Sequence, residues 1–136
     1  MKKRFFFIGG ILLLILIGWG IYLYNKPHSN TAGLEADFRI SAADLYAAFQ
    51  KDESASNKKF MGKVIEVNGP VAEIDTGSGN TNILISASAT GGINCSFSNA
   101  GLVEAESPKK GNIITIKGRC TGFLMDVNLV DCVLKK

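Results

Sequence analysis

Two hydrophobic patterns divide this chain. Residues 5–24, FFFIGGILLLILIGWGIYLY, are apolar without a break and without a period. Beyond residue 60 the apolar positions alternate with polar ones, as strands do when one face is buried. Phe60 to Asp75 reads as a long first strand, which Gly69-Pro70 interrupts as a bulge or bend would. Thr81 to Ser88 and Ile93 to Phe97 follow as two more strands. The turns between them are Thr76-Gly-Ser-Gly-Asn80 and Thr90-Gly91-Gly92. After a longer connection, Ser98 to Lys110, Gly111 to Leu134 reads as two strands around a turn at Gly122. Ile113, Ile114 and Ile116 are β-branched and favour the pleated backbone.

A different period appears upstream. Leu45, Ala48 and Phe49 form the i, i+3, i+4 stripe of an amphipathic helix, with Ser41 as its cap and Asp44 in its first turn. This helix is expected to end near Lys51 or Asp52, with Ser54 to Lys59 as a polar break. The fold class follows: mainly β, a five-stranded barrel preceded by one amphipathic helix, with an N-terminal transmembrane helix.

The first pattern carries the topology. An uncharged run of this length matches the roughly 20 residues that cross a bilayer. It exceeds the roughly 7–15 residues of a signal-peptide core, which favours an uncleaved anchor over a cleaved signal. Lys2, Lys3 and Arg4 precede it and Lys26 follows, so the positive-inside bias puts the N-terminus in the cytoplasm. The expected organisation is residues 1–4 cytoplasmic, 5–24 anchor in the cytoplasmic membrane, 25–39 linker and 40–136 exported domain.

Charge then changes meaning. The formal net charge is +3, yet the cations around the apolar run account for it, and the remaining chain is close to neutral. A phosphate-backbone ligand normally meets a basic footprint, so nucleic acid is disfavoured as a partner. The strands' outward positions are small and polar. The candidate binding face is Asn82, Ser86, Asn94, Ser96 and Phe97, with Phe97 as its one aromatic. Such a face suits an envelope protein, a peptide or a glycan.

Catalytic chemistry finds little support. Asp75-Thr76-Gly77-Ser78 echoes the aspartic-protease loop, in which two lobes bring two aspartates together. The same residues make an ordinary strand-to-strand turn, and that reading is preferred. The single histidine, His28, sits in the linker, so no Ser–His pair forms. The three cysteines lack C-x-x-C spacing, and neither a metal nor a cofactor is expected. In an oxidising compartment a disulfide is expected, as Cys120–Cys132 or Cys95–Cys132.

KKFMGKVIEVNGPVAEID, GGINCSF and KKGNIITIKGRCTGFLMDVNLVDCVL, with the preceding SAADLYAAFQKDESASNKKF, resemble the tRNA_anti-like family of OB-fold proteins over about residues 40 to 135. The most distinctive part is the ending G-x-C-T-G-x-L-x-D-V-x-L-x-x-C, from Gly118 to Cys132. The resemblance implies the OB barrel. The family's name refers to a likeness to anticodon-binding domains, and the resemblance does not carry over a tRNA-binding activity.

Overall fold

The computed structural model describes residues 2–24, 31–77, 79–98 and 108–135. His28, Ser78 and most of the connection between the third and fourth predicted strands lie outside these residues. Helix α1 runs from Lys2 to Tyr24. A 3₁₀ turn at Thr31–Gly33 leads to strand β1, Phe38–Ser41. Helices α2, Ala42–Lys51, and α3, Glu53–Phe60, come next. Five strands complete the chain: β2 Val64–Asp75, β3 Thr81–Ser86, β4 Gly92–Phe97, β5 Ile113–Phe123 and β6 Val127–Lys135.

Strands β2 to β6 close into the predicted barrel. β2 pairs antiparallel with β3 through its second half and with β5 through its first. β3 pairs with β4, β4 runs parallel to β6, and β6 returns antiparallel to β5. β2 therefore serves two neighbours in turn, and the bend expected at Gly69-Pro70 lies where β5 hands over to β3. Inward positions alternate along every strand, and Ile65, Val67, Ile83, Ile85, Ile93, Ile116, Val127 and Leu129 are fully buried.

The structure adds elements that the apolar pattern does not reveal. β1 pairs parallel with the first half of β2, on the edge opposite β5. The polar break is helix α3. Asp52 caps it, its Oδ1 accepting the Ala55 amide at 2.9 Å. α3 lacks an apolar stripe because it buries only Ser56 and Phe60. Ser56 Oγ donates to the Ala48 carbonyl at 2.8 Å and so ties α3 back to α2. α2 keeps its predicted cap, with Ser41 Oγ accepting the Asp44 amide at 3.1 Å. Together the two helices close one end of the barrel. Phe49 stacks on Phe123 at 5.6 Å, Tyr46 meets the same ring edge-on at 5.8 Å, and Phe60 packs beside Phe38 at 5.1 Å.

The last hairpin turns later than expected. Leu124–Asp126 make the turn, and Gly122 sits before it at a register shift, with φ of 125°. Only a residue without a Cβ takes that backbone angle at little cost, so this glycine marks a bulge. A second irregularity lies between Lys117 and Arg119, where β6 bulges around Asp131, a non-glycine residue with φ of 51°. Gly118 faces that bulge. A Cβ there would lie 2.6 Å from Cys132 Sγ, so the close approach of the two strands depends on glycine. The Asp131 carbonyl accepts a hydrogen bond from the fully buried Thr31 Oγ1, which fixes the start of the domain against β6.

α1 is apolar on every side, and its side chains from Ile8 to Tyr24 are exposed. Among the described residues no helix is long and apolar enough to cross a membrane, and the predicted span 5–24 is not shown.

Candidate functional site

One face of β2, β3 and β4 carries polar side chains in register. Asp75 lies opposite Asn82, and Asn82 opposite Ser96. In the next row Glu73 lies opposite Leu84, Leu84 opposite Asn94, and Asn94 opposite Asn128 on β6. The Asn94 side chain donates to Asn128 Oδ1 at 3.3 Å, which bridges the parallel strands across this face. The β5–β6 turn folds over one end of it. There Asp126 accepts the Gly92 amide at 2.7 Å, so the carboxylate is held by a backbone donor.

The result is an open groove of about 290 Å³ lined by Glu73, Asp75, Asn82, Leu84, Asn94 and Asp126. Three of these six are acids, and none of them is a lysine, an arginine or an aromatic. Asp75 is exposed at the end of β2, and its Oδ1 accepts the Gly77 amide at 3.0 Å. That is a side-chain-closed turn, the ordinary use of aspartate before Thr-Gly. Along the strands a second groove, about 350 Å³, opens where β4 and β6 part beyond Cys95 and Leu129. Asn80, Ser96, Phe97, Ser98, Val130 and Asp131 line it.

The predicted face is thus split. Asn82 and Asn94 line the acidic groove, Ser96 lines the second, and Ser86 stands at the far end of β3 opposite Gly92. Phe97 was expected as an outward aromatic and is 1% exposed. Its parity is that of Ile93 and Cys95, and every second residue of a strand shares a face. Glu73 and Asp126 were missed. Asp126 comes from a hairpin some thirty residues beyond β4, and nothing local in its sequence shows where that hairpin folds.

The expected disulfide is also corrected. Cys95, Cys120 and Cys132 are buried free thiols. Cys120 faces Leu129 across the hairpin, three residues short of Cys132, because the turn lies at 124–126. β4 meets β6 at the same Leu129, opposite Cys95, and the ladder ends there. The Cys132 thiol nevertheless lies beside that of Cys95. Burial first, and then the Cys95 thiol beside it, push Cys132 well above the ordinary thiol range; burial raises Cys120 as well. Such thiols stay protonated and unreactive at neutral pH. Among the described residues no cluster of histidine, cysteine, aspartate or glutamate could hold a metal ion.

A third groove, about 360 Å³, lies beside the 3₁₀ turn. At its centre Glu66 is bonded by Lys135 at 2.9 Å and paired with Arg39 at 3.6 Å. The hydrogen bond from Lys135, followed by the charges of Lys135 and Arg39, holds the Glu66 carboxyl below its usual value against its desolvation. Lys117 Nζ donates to the carbonyls of Ala32 and Leu34 at 3.1 and 2.6 Å. These cations are engaged within the fold.

Comparison with known proteins agrees with this architecture. The tRNA_anti-like family matches residues 1–134. No curated protein matches the chain. Among solved structures, the chain is similar to a lipoprotein of Klebsiella pneumoniae subsp. pneumoniae MGH 78578 described as a candidate nucleic acid-binding protein. The TM-score is 0.62 at 14% identity, covering 82% of this chain and all of that one. The Stn1–Ten1 complex of S. pombe is similar at a TM-score of 0.41 and 21% identity, over 49% of this chain and 52% of that chain.

Proposed function

We propose, from the fact that this chain belongs to the tRNA_anti-like family, that it is a membrane-anchored OB-fold binding module of the cell envelope without catalytic activity. In this reading α1 holds the chain in the cytoplasmic membrane, with the N-terminus inside and the barrel exported. A helix that is apolar all round needs an apolar surrounding on every side, and the lysines and arginine before it set its direction. The barrel then presents the groove of β2, β3 and β4 to a ligand.

The observation that carries the ligand class is the groove's lining. Glu73, Asp75 and Asp126 stand beside Asn82 and Asn94, with no cation and no aromatic in the lining. Carboxylates and amides accept hydrogen bonds from hydroxyl, amide and ammonium groups, which suits a glycan, a peptide or the surface of another protein. A phosphodiester chain would meet like charge there.

A second reading, an oligonucleotide ligand, is favoured by the Klebsiella lipoprotein, whose description runs against the expectation that nucleic acid is disfavoured here. Full-length protein in lipid nanodiscs, titrated with single-stranded oligonucleotides, oligosaccharides and peptides, separates the two. The first reading requires oligosaccharide or peptide binding that is lost in Glu73→Gln/Asp75→Asn. Sub-micromolar oligonucleotide binding at physiological salt would replace it with the second. Peptidase activity abolished by Asp75→Asn would overturn the non-catalytic assignment.

A further inference from the structure

Among the described residues, the tip of the β5–β6 hairpin is the most exposed apolar feature of the barrel domain. Leu124 is 85% exposed and Met125 81%. Both are well placed for contact, because the hairpin's stem is rigid. Phe123 is stacked on Phe49, Asp126 is tied to the Gly92 amide, and the Leu124 amide donates to the Asp126 carbonyl at 3.2 Å. Beside the stem lies the corner that follows α3. The Gly62 amide donates to the Cys120 carbonyl at 2.8 Å, and the Cys120 amide donates to the Lys63 carbonyl at 2.9 Å. This brings Met61, 52% exposed, to the flank of Gly122. Lys58, one turn before Met61, and Lys63, just after it, are both exposed. Asp126, which follows Met125, is turned onto the Gly92 amide, and Asp37 accepts the Val64 amide at 2.9 Å.

We propose that this corner, Leu124 and Met125 with Met61, Lys58 and Lys63, docks onto the anionic bilayer surface in which α1 is anchored. The inference rests on the reading of α1 as an anchor. Apolar side chains with lysines around them are the composition of an interfacial contact, in which the apolar groups enter the headgroup boundary and the cations meet anionic lipid. The tether permits it. Residues 25–30 join Tyr24 to Thr31 and span at most about 25 Å even when fully extended. Thr31 is bonded to Asp131, and β6 covers only about 14 Å between Asp131 and Val127, at the base of the tip. The hairpin tip is therefore never far from the membrane that holds α1.

The chain's single tryptophan, Trp19, makes the test separable. Full-length protein is reconstituted into vesicles of phosphatidylcholine with phosphatidylglycerol, with or without brominated acyl chains. Trp19 fluorescence should be quenched by bromine, which reports the anchor. In Trp19→Phe/Met125→Trp, the tryptophan introduced at the tip should also be quenched, by about twofold or more. Quenching should fall in pure phosphatidylcholine and in Lys58→Glu/Lys63→Glu. Trp19→Phe/Ile113→Trp places the reporter at the other end of β5 and should stay unquenched. Leu124→Trp in the same background repeats the measurement if the first variant folds poorly. Quenching of Trp19 without quenching at position 124 or 125 overturns the docking and leaves the anchor standing, and it makes the tip a protein-contact surface instead. Unquenched Trp19 overturns both.

Discussion

Helix α1 and the barrel are both built on branched aliphatic side chains, and they bury them by opposite means. In the barrel, Ile65, Val67, Ile83, Ile85, Ile93 and Ile116 alternate with polar neighbours, and every one of them is fully buried by the chain itself. In α1, Ile11, Leu14, Leu16 and Leu23 show no such alternation, and each stays at least half exposed. The barrel's pattern finds its complement within the sequence. The helix's pattern finds no complement among the described residues. Hydrophobicity alone therefore does not separate the two regions; periodicity does. A substitution in one region should leave the function of the other untouched.

Placing Lys at Leu14 and Ile15 should give the largest effect. Each charge at a bilayer centre costs about 2.5–3.5 kcal/mol, so membrane fractionation should collapse, while the thermal unfolding of the barrel should be unchanged. A barrel that unfolds with the same variant would break the comparison. Phe49→Ala should do the reverse. It removes a buried ring stacked between the helical cap and the hairpin, and should cost about 3–5 kcal/mol in denaturant unfolding with membrane fractionation intact. Gly118→Ala should cost about 1–3 kcal/mol by overpacking, because its Cβ would press on Cys132 Sγ and on Leu129. A neutral result there would show that the β6 bulge can relax.

The smallest effect sharpens the picture at the barrel's surface. The Glu66 carboxyl is held below its ordinary value, chiefly by the hydrogen bond from Lys135. Its contribution is therefore present at neutral pH and is lost as the pH falls through the lowered folded-state value. The difference in Tm between the protein and Glu66→Gln should be small at neutral pH and should close on acidification. A difference that persists in acid would mean that the pair with Lys135 is not its source.

Periodicity also explains what could be read from the sequence. The five barrel strands, the Ser41 cap and the α2 stripe were legible because each repeats a local rule several times over. β1 is four residues long, and α3 presents Ser, Asn and Lys with a single deep anchor, Phe60, so neither repeats anything. Phe97 was misplaced even though its parity with Ile93 and Cys95 already assigned it to the interior. The site was legible only along single strands. Asn82 and Asn94 stand out locally, whereas their meeting with Glu73 and Asp126 depends on register and on a hairpin turn that Gly122 suggested too early. The cysteine pairing failed for the same reason, since with the turn at 124–126 Cys120 falls opposite Leu129 and not Cys132.

The fastening of Thr31 has a mechanical consequence. A pull on the chain from the α1 side does not reach β1 first. It meets the Thr31 hydroxyl on the Asp131 carbonyl, and then the Lys117 ammonium on the carbonyls of Ala32 and Leu34. These bonds deliver the force to the middle of β6 and β5, where neighbouring ladders share it along their length. The load thus enters the barrel through its wall, and the short parallel pairing of β1 with β2, four residues long, is spared from taking it first.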